Sequence, residues 1–94
     1  MHLTVVRKDP QGRVTWKKLC RERGVPFIVV HRQQNGCKVE WEGVAELSQL
    51  DALITEGEAE YGTEGGRVRG LTPEAATTLA ARLFEILKPA PATV

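Results

Sequence analysis

A single small α+β domain is what this sequence predicts, and three observations carry that reading. The chain has 94 residues, a length that suits one domain with one hydrophobic core. Residues 27 to 42 alternate apolar and polar side chains around Asn35-Gly36, as a half-buried β-hairpin does. Residues 72 to 87 open with Thr-Pro-Glu and then repeat apolar residues at helical spacing. Together these predict a mostly antiparallel sheet of four or five strands with two to three helices, in the rough order β-β-α-β-β-α-β-α. Residues 1 to 88 are expected to form the domain, and residues 89 to 94, Pro-Ala-Pro-Ala-Thr-Val, a disordered tail with nothing to bury.

Leu3 to Arg7 reads as a first strand, followed by a turn at Asp9-Pro10-Gln11-Gly12, where proline presets φ and glycine closes the fourth position. The next stretch carries two patterns. Val14 and Trp16 alternate with polar neighbours as a returning strand would, while Trp16, Leu19, Cys20 and Arg23 fall at i, i+3, i+4 and i+7. The pattern resolves as a short strand ending near Thr15, which caps a helix from Trp16 to Arg23 that stops at Gly24. That spacing sets Trp16 and Leu19 on the core side.

Phe27-Ile28-Val29-Val30 is a strand by its β-branched content, entered after a proline. With Asn35-Gly36 at the centre of a type I′ turn, Arg32 faces Val39, His31 faces Glu40 and Val30 faces Trp41. Ile28, Val30, Val39 and Trp41 then share a buried face; Val29, His31, Lys38, Glu40 and Glu42 share a wet one. Ser48-Gln49-Leu50-Asp51 has the spacing of a capping box ahead of a helix striped by Leu50, Leu53 and Ile54, which should stop by Gly57. Glu56 to Gly66, with four Gly, four Glu and one Tyr, reads as a mobile acidic loop. A brief strand follows at Arg67 to Leu71. The last helix starts at Thr72-Pro73-Glu74, buries Ala76, Leu79, Ala80, Leu83 and Leu87, and ends at Lys88-Pro89.

The formal net charge is +1, yet charge is unevenly placed along the chain. Residues 1 to 39 hold nine Lys or Arg and two acids, whereas residues 40 to 66 hold eight acids and no Lys or Arg. The total therefore excludes a uniformly basic nucleic-acid binder and leaves electrostatic docking open. A candidate basic patch comprises Arg13, Lys17, Lys18, Arg21, Arg23, Arg32 and Lys38. A candidate acidic pole comprises Glu40, Glu42, Glu56, Glu58, Glu60 and Glu64.

Catalytic groups are sparse. His31 opposite Glu40 would give a carboxylate-oriented imidazole, but no nucleophile stands at a spacing that completes it. His2, Cys20, His31 and Cys37 have donor types that suit zinc without the paired spacing that preorganises a site. Glu56, Glu58 and Glu60 lack the Asx spacing of an EF-hand loop, and acids crowd the glycines at 62, 65 and 66, so they cradle no phosphate. Residues 25 to 54, with Gly24-Val25-Pro26 ahead of a strand, a hairpin and a helix carrying Leu50, Leu53 and Ile54, resemble the second half of a thioredoxin fold. The resemblance covers about a third of the chain. Redox members of that fold carry Cys-x-x-Cys on an earlier helix, which this chain lacks, so it implies no activity. Cys20, on a basic helix, is either mildly reactive or, as a small buried hydrophobe, inert; the second suits its apolar neighbours.

The sequence therefore predicts a small non-enzymatic protein-binding module without catalytic residues, metal or cofactor. It would act as a regulator, adaptor or inhibitor of a larger complex, docking on another protein or nucleoprotein through its charged surfaces, with self-association open. The alternatives are a nucleic-acid-binding accessory protein using the basic half, with Trp16 as a stacking platform, and a thiol- or metal-dependent enzyme. No apolar run approaches the ~18 residues that span a bilayer, and the start lacks a signal peptide's pattern, so a cytoplasmic location without membrane contact is expected.

Overall fold

The structure, a computed structural model, describes residues 10–89, with side chains from Trp16 onward. The expected strand at Leu3 to Arg7, His2 and residues 90 to 94 of the expected tail lie outside the described residues. Among the described residues seven elements follow one another: α1 (Pro10–Arg23), β1 (Phe27–Gln33), β2 (Gly36–Glu42), α2 (Leu47–Leu53), β3 (Glu58–Gly62), β4 (Gly65–Leu71) and α3 (Pro73–Ile86). The strands form one antiparallel sheet in the order β1-β2-β4-β3, so the α+β class holds. Hairpin and helix of the thioredoxin-like stretch are both present, but the sheet around them is antiparallel throughout.

α3 forms as its sequence requires. The Thr72 hydroxyl accepts from the Ala75 N–H at 3.1 Å, and Pro73 opens the first turn where no N–H is needed. Its stripe of Ala76, Leu79, Ala80 and Leu83 is buried, as is Leu87 just beyond. These residues pack with Ile28, Val30, Val39, Trp41, Val68, Leu71 and the α2 residue Leu50 into the main core. In β4 an extra residue shifts the register between Val68 and Leu71. That bulge turns a spacing of three into a shared face, so both side chains reach the same core.

A second, smaller core lies on the opposite face of the sheet, where the sequence leads one to expect water. Trp16 and Cys20 of α1 pack on Phe27 and Val29, and the latter two are 2% and 1% exposed. The unbroken run Phe27-Ile28-Val29-Val30 is the signature of a strand covered on both faces, and it overrides the alternation that assigned Val29 to solvent. α1 itself begins at Pro10, so Val14 and Thr15 are helical, Thr15 is no cap, and Pro10 to Gly12 form no turn. Helical spacing outweighs the short alternation, and proline's missing N–H is harmless in a first turn. The core side of α1 carries Trp16 and Cys20, while Leu19 is 36% exposed. Beyond Arg23 the chain reverses at Gly24, where φ is +66°.

The β1–β2 register is displaced by two from the sequence expectation. His31 pairs with Lys38, Val30 with Val39 and Val29 with Glu40, because the turn is Gln34-Asn35 and Gly36 is already the first residue of β2. Among described residues only glycines have positive φ, and Gly36 has +120°; Asn35 does not take the left-handed conformation a type I′ turn demands. A displacement of two preserves faces, so the core assignment survives.

Two further corrections concern the acidic half. α2 is preceded by Glu46, whose N–H donates to Gln49 Oε1 at 3.3 Å; the reciprocal pair is Glu46/Gln49 rather than Ser48/Asp51. Glu56 to Gly66 is no mobile loop, for β3, a Thr63-Glu64 turn and the start of β4 occupy it. Glu58 pairs with Arg69 and Glu60 with Arg67, so cross-strand opposite charges stabilise what composition alone marks as unfoldable. The turn is held as well: the N–H groups of Gly43 and Ala45 donate to the Glu64 and Thr63 carbonyls at 3.1 and 3.0 Å.

Candidate functional site

The row Ile28, Trp41, Gly66, Tyr61 crosses the sheet on the α3 side. Gly66 separates two aromatic residues, and a Cβ there would overlap the Tyr61 Cβ and lie 2.7 Å from the Glu60 carbonyl oxygen. Its absence lets the Trp41 and Tyr61 rings meet above β4 with centroids 6.2 Å apart. The Tyr61 hydroxyl donates to Asp51 Oδ1 of α2. That hydrogen bond, aided by burial and the Asp51 charge, raises the Tyr61 pKa above its ordinary 10.0. β3 is thereby tied to the helical layer on one face and to β4 along one side.

The other side of β3 is a sheet edge. Among the described residues no strand pairs with it beyond β4. The two-residue turn makes Gly62 and Gly65 the closing pair, so Glu60 and Glu58 exchange backbone bonds with Arg67 and Arg69. By the same alternation Ala59 and Tyr61 direct their N–H and C=O groups outward. Glu58, Ala59 and Glu60 are exposed, and exposed Glu56 leads into the strand. The site is thus a row of outward-facing backbone groups with carboxylates along one face.

The remaining acids of the expected pole lie elsewhere. Glu40 and Glu42 sit on β2, on the face that α1 partly covers. Glu40 Oε1 is 3.4 Å from His31 Nε2 and 3.8 Å from Lys38 Nζ, with side chains only 13–19% exposed. His31 and Glu40 do meet, diagonally rather than directly opposite, and Lys38 reaches the same carboxylate. Glu42 Oε1 accepts from Arg21 Nε at 3.0 Å and Nη2 at 2.7 Å, and Glu60 lies 3.6 Å from Arg67. Glu64 stands in the β3–β4 turn.

Nor do the basic residues gather into one patch. Arg13, Lys17, Lys18, Arg21 and Arg23 belong to α1. Lys17 is half-buried, its Nζ 5.4 Å from the Phe27 ring centroid, in a cation–π contact. Arg32 and Lys38 occupy the far end of the β1–β2 hairpin on opposite faces of the sheet, Arg32 beside Cys37 and Lys38 beside His31. Trp16 is half-buried against Cys20, Phe27 and Val29. Cys20 and Cys37 are both buried free thiols. Burial raises the Cys20 pKa above 9.0, with Arg23 opposing and Glu42 adding to the rise. Among the described residues no three of His, Cys, Asp and Glu converge to hold a metal ion, and no helix is long and apolar enough to cross a membrane.

The sequence reading missed Ala59 and Tyr61 as edge groups and Arg67 and Arg69 as their strand's partners. The signal was present as the alternation Glu58-Ala59-Glu60-Tyr61 matched by Arg67 and Arg69 across Gly62 and Gly65. Compared with known protein families, curated proteins and solved structures, the chain finds no match in any of the three.

Proposed function

We propose that this protein is a small non-catalytic protein-binding module that takes an extended, basic segment of a partner protein along the outer edge of β3. The observation that carries the reading is the edge itself: Ala59 and Tyr61 offer backbone donors and acceptors beside Glu56, Glu58 and Glu60. Addition of a strand to such an edge supplies main-chain hydrogen bonds, and alternate side chains supply specificity. Lys or Arg at alternate positions would lie against Glu58 and Glu60, and charge complementarity would speed encounter. A second copy of this chain is a poorer occupant, because edge-to-edge pairing sets glutamates against glutamates. Nucleic acid has less support, since Arg21 and Lys38 face carboxylates and Lys17 lies over Phe27.

The test uses a fluorescent peptide Lys-Val-Lys-Val-Lys-Leu-Lys and anisotropy at low salt. Binding is expected to weaken with salt and to fall about tenfold in Glu56→Gln/Glu58→Gln/Glu60→Gln, three exposed pairs at about 0.5 kcal/mol each. Ala59→Pro removes an outward N–H without touching the β4 ladder, so it should fold and bind about tenfold more weakly. Equal binding by both variants would refute the reading.

A further inference from the structure

Between the end of α2 and the first half of α3 lies a cleft of about 580 Å³. Leu53, Ile54, Leu71, Ala75 and Leu79 give it apolar walls, and Glu56 and Glu74 bring carboxylates to it. We infer that this cleft is the anchor pocket for the partner's segment and takes an aliphatic side chain where that segment runs past Glu58. The inference rests on β3 being the docking edge. Three features of the molecule support it.

Continuity is the first. Thr55 and Glu56 line the cleft and lead through Gly57 directly into Glu58, so a segment added antiparallel to β3 leaves the edge at the cleft. Side-chain parity is the second. Residues of the added segment alternate between two faces: those beside Glu58 and Glu60 lie away from α3, and those beside Ala59 and Tyr61 lie on the layer of α2 and α3, where the cleft is. A segment that alternates basic and apolar residues therefore delivers an apolar one to the pocket. Charge is the third. Glu56 and Glu74 favour basic neighbours around the anchor, while Arg82, two helical turns beyond Glu74, disfavours them at the other end.

The experiment compares Lys-Val-Lys-Val-Lys-Leu-Lys with the same peptide carrying serine in place of leucine. On the unaltered protein the serine peptide should bind about tenfold more weakly, the loss expected when a leucine side chain stays in water. Thr78 is exposed and lines the cleft, so Thr78→Trp should occlude it without disturbing the core. That variant should weaken the leucine peptide about tenfold and leave the serine peptide unchanged, a coupling that a double-mutant cycle isolates; Thr78→Ser should match the unaltered protein. Equal binding of the two peptides to the unaltered protein would overturn the pocket whatever the variants do, and so would equal weakening of both by Thr78→Trp. If Ala59→Pro still weakens binding about tenfold in either case, the docking edge stands and only the pocket falls; failure of both peptides to bind removes both.

Discussion

Truncating Phe27 to alanine distinguishes a sheet covered on both faces from one covered on a single face. Phe27 is 2% exposed, enclosed by Trp16 and Cys20 of α1 and by Val29, with Lys17 over its ring. Loss of a buried phenylalanine costs about 3–5 kcal/mol through lost transfer and a residual cavity, and the cation–π contact adds about 0.5 kcal/mol. A domain of this length is stable by roughly 5–14 kcal/mol, so the variant should lose a large part of that margin. With a urea m value of about 1.5 kcal/mol/M, the midpoint should fall by about 2–4 M. Leu19→Ala, on the exposed side of the same helix, should change stability by less than about 0.5 kcal/mol. The assay is urea denaturation followed by circular dichroism. A cost for Phe27→Ala below about 1 kcal/mol would show that α1 does not cover that face, and the two-sided sheet would be refuted.

Gly66→Ala should destabilise the domain by about 3 kcal/mol, because the new Cβ meets Tyr61 and the Glu60 carbonyl rather than a yielding side-chain end; a change within about 0.5 kcal/mol in denaturant melts would contradict the close approach. Tyr61 is the chain's single tyrosine, so phenolate absorbance reports it alone: Asp51→Asn should bring its titration down toward 10.0, whereas an unmoved curve would deny the hydrogen bond to Asp51. Iodoacetamide should modify Cys20 more than about tenfold faster in urea than in the native protein, since burial both shields the thiol and disfavours its thiolate. Because the folded pKa is the raised one, the Cys20 contribution to stability is fully present below pH 9.0 and lost as the pH rises beyond it; equal alkylation rates, or stability that rises across that range, would contradict its placement.

How legible the sequence was depended on how local each signal is. α3 could be read almost residue by residue, because its cap, its proline and its apolar stripe all lie within its own span. The faces of the β1–β2 hairpin were legible for the same reason, but its register was not: one glycine with φ of +120° at the start of β2 moves the turn by one residue and the pairing by two. β3 was hidden because its stabilising partners are distant in sequence. Glu58 and Glu60 look like disorder until Arg69 and Arg67 stand across from them, and Gly66 looks like flexibility until Trp41 and Tyr61 flank it. Charge misled in a related way. The basic and acidic stretches are separate along the chain, but folding brings Arg21 to Glu42, Lys38 to Glu40 and Arg67 to Glu60. What remains as a candidate site is narrower than two opposed poles: the outer edge of β3 with exposed Glu56 and Glu58 along it, and Glu60, shared with Arg67, beside them.

Amide hydrogen exchange measured residue by residue, with and without the Lys-Val-Lys-Val-Lys-Leu-Lys peptide, tests the docking edge most directly. In the free protein the outward amides of Ala59 and Tyr61 should exchange much faster than those of Glu58 and Glu60, which donate to β4. Saturating peptide should slow Ala59 and Tyr61 at least about tenfold, as new strand bonds form, while the amides of α1 stay unchanged. Protection confined to α1, or Ala59 and Tyr61 amides that exchange at the same rate with and without peptide, would contradict the account.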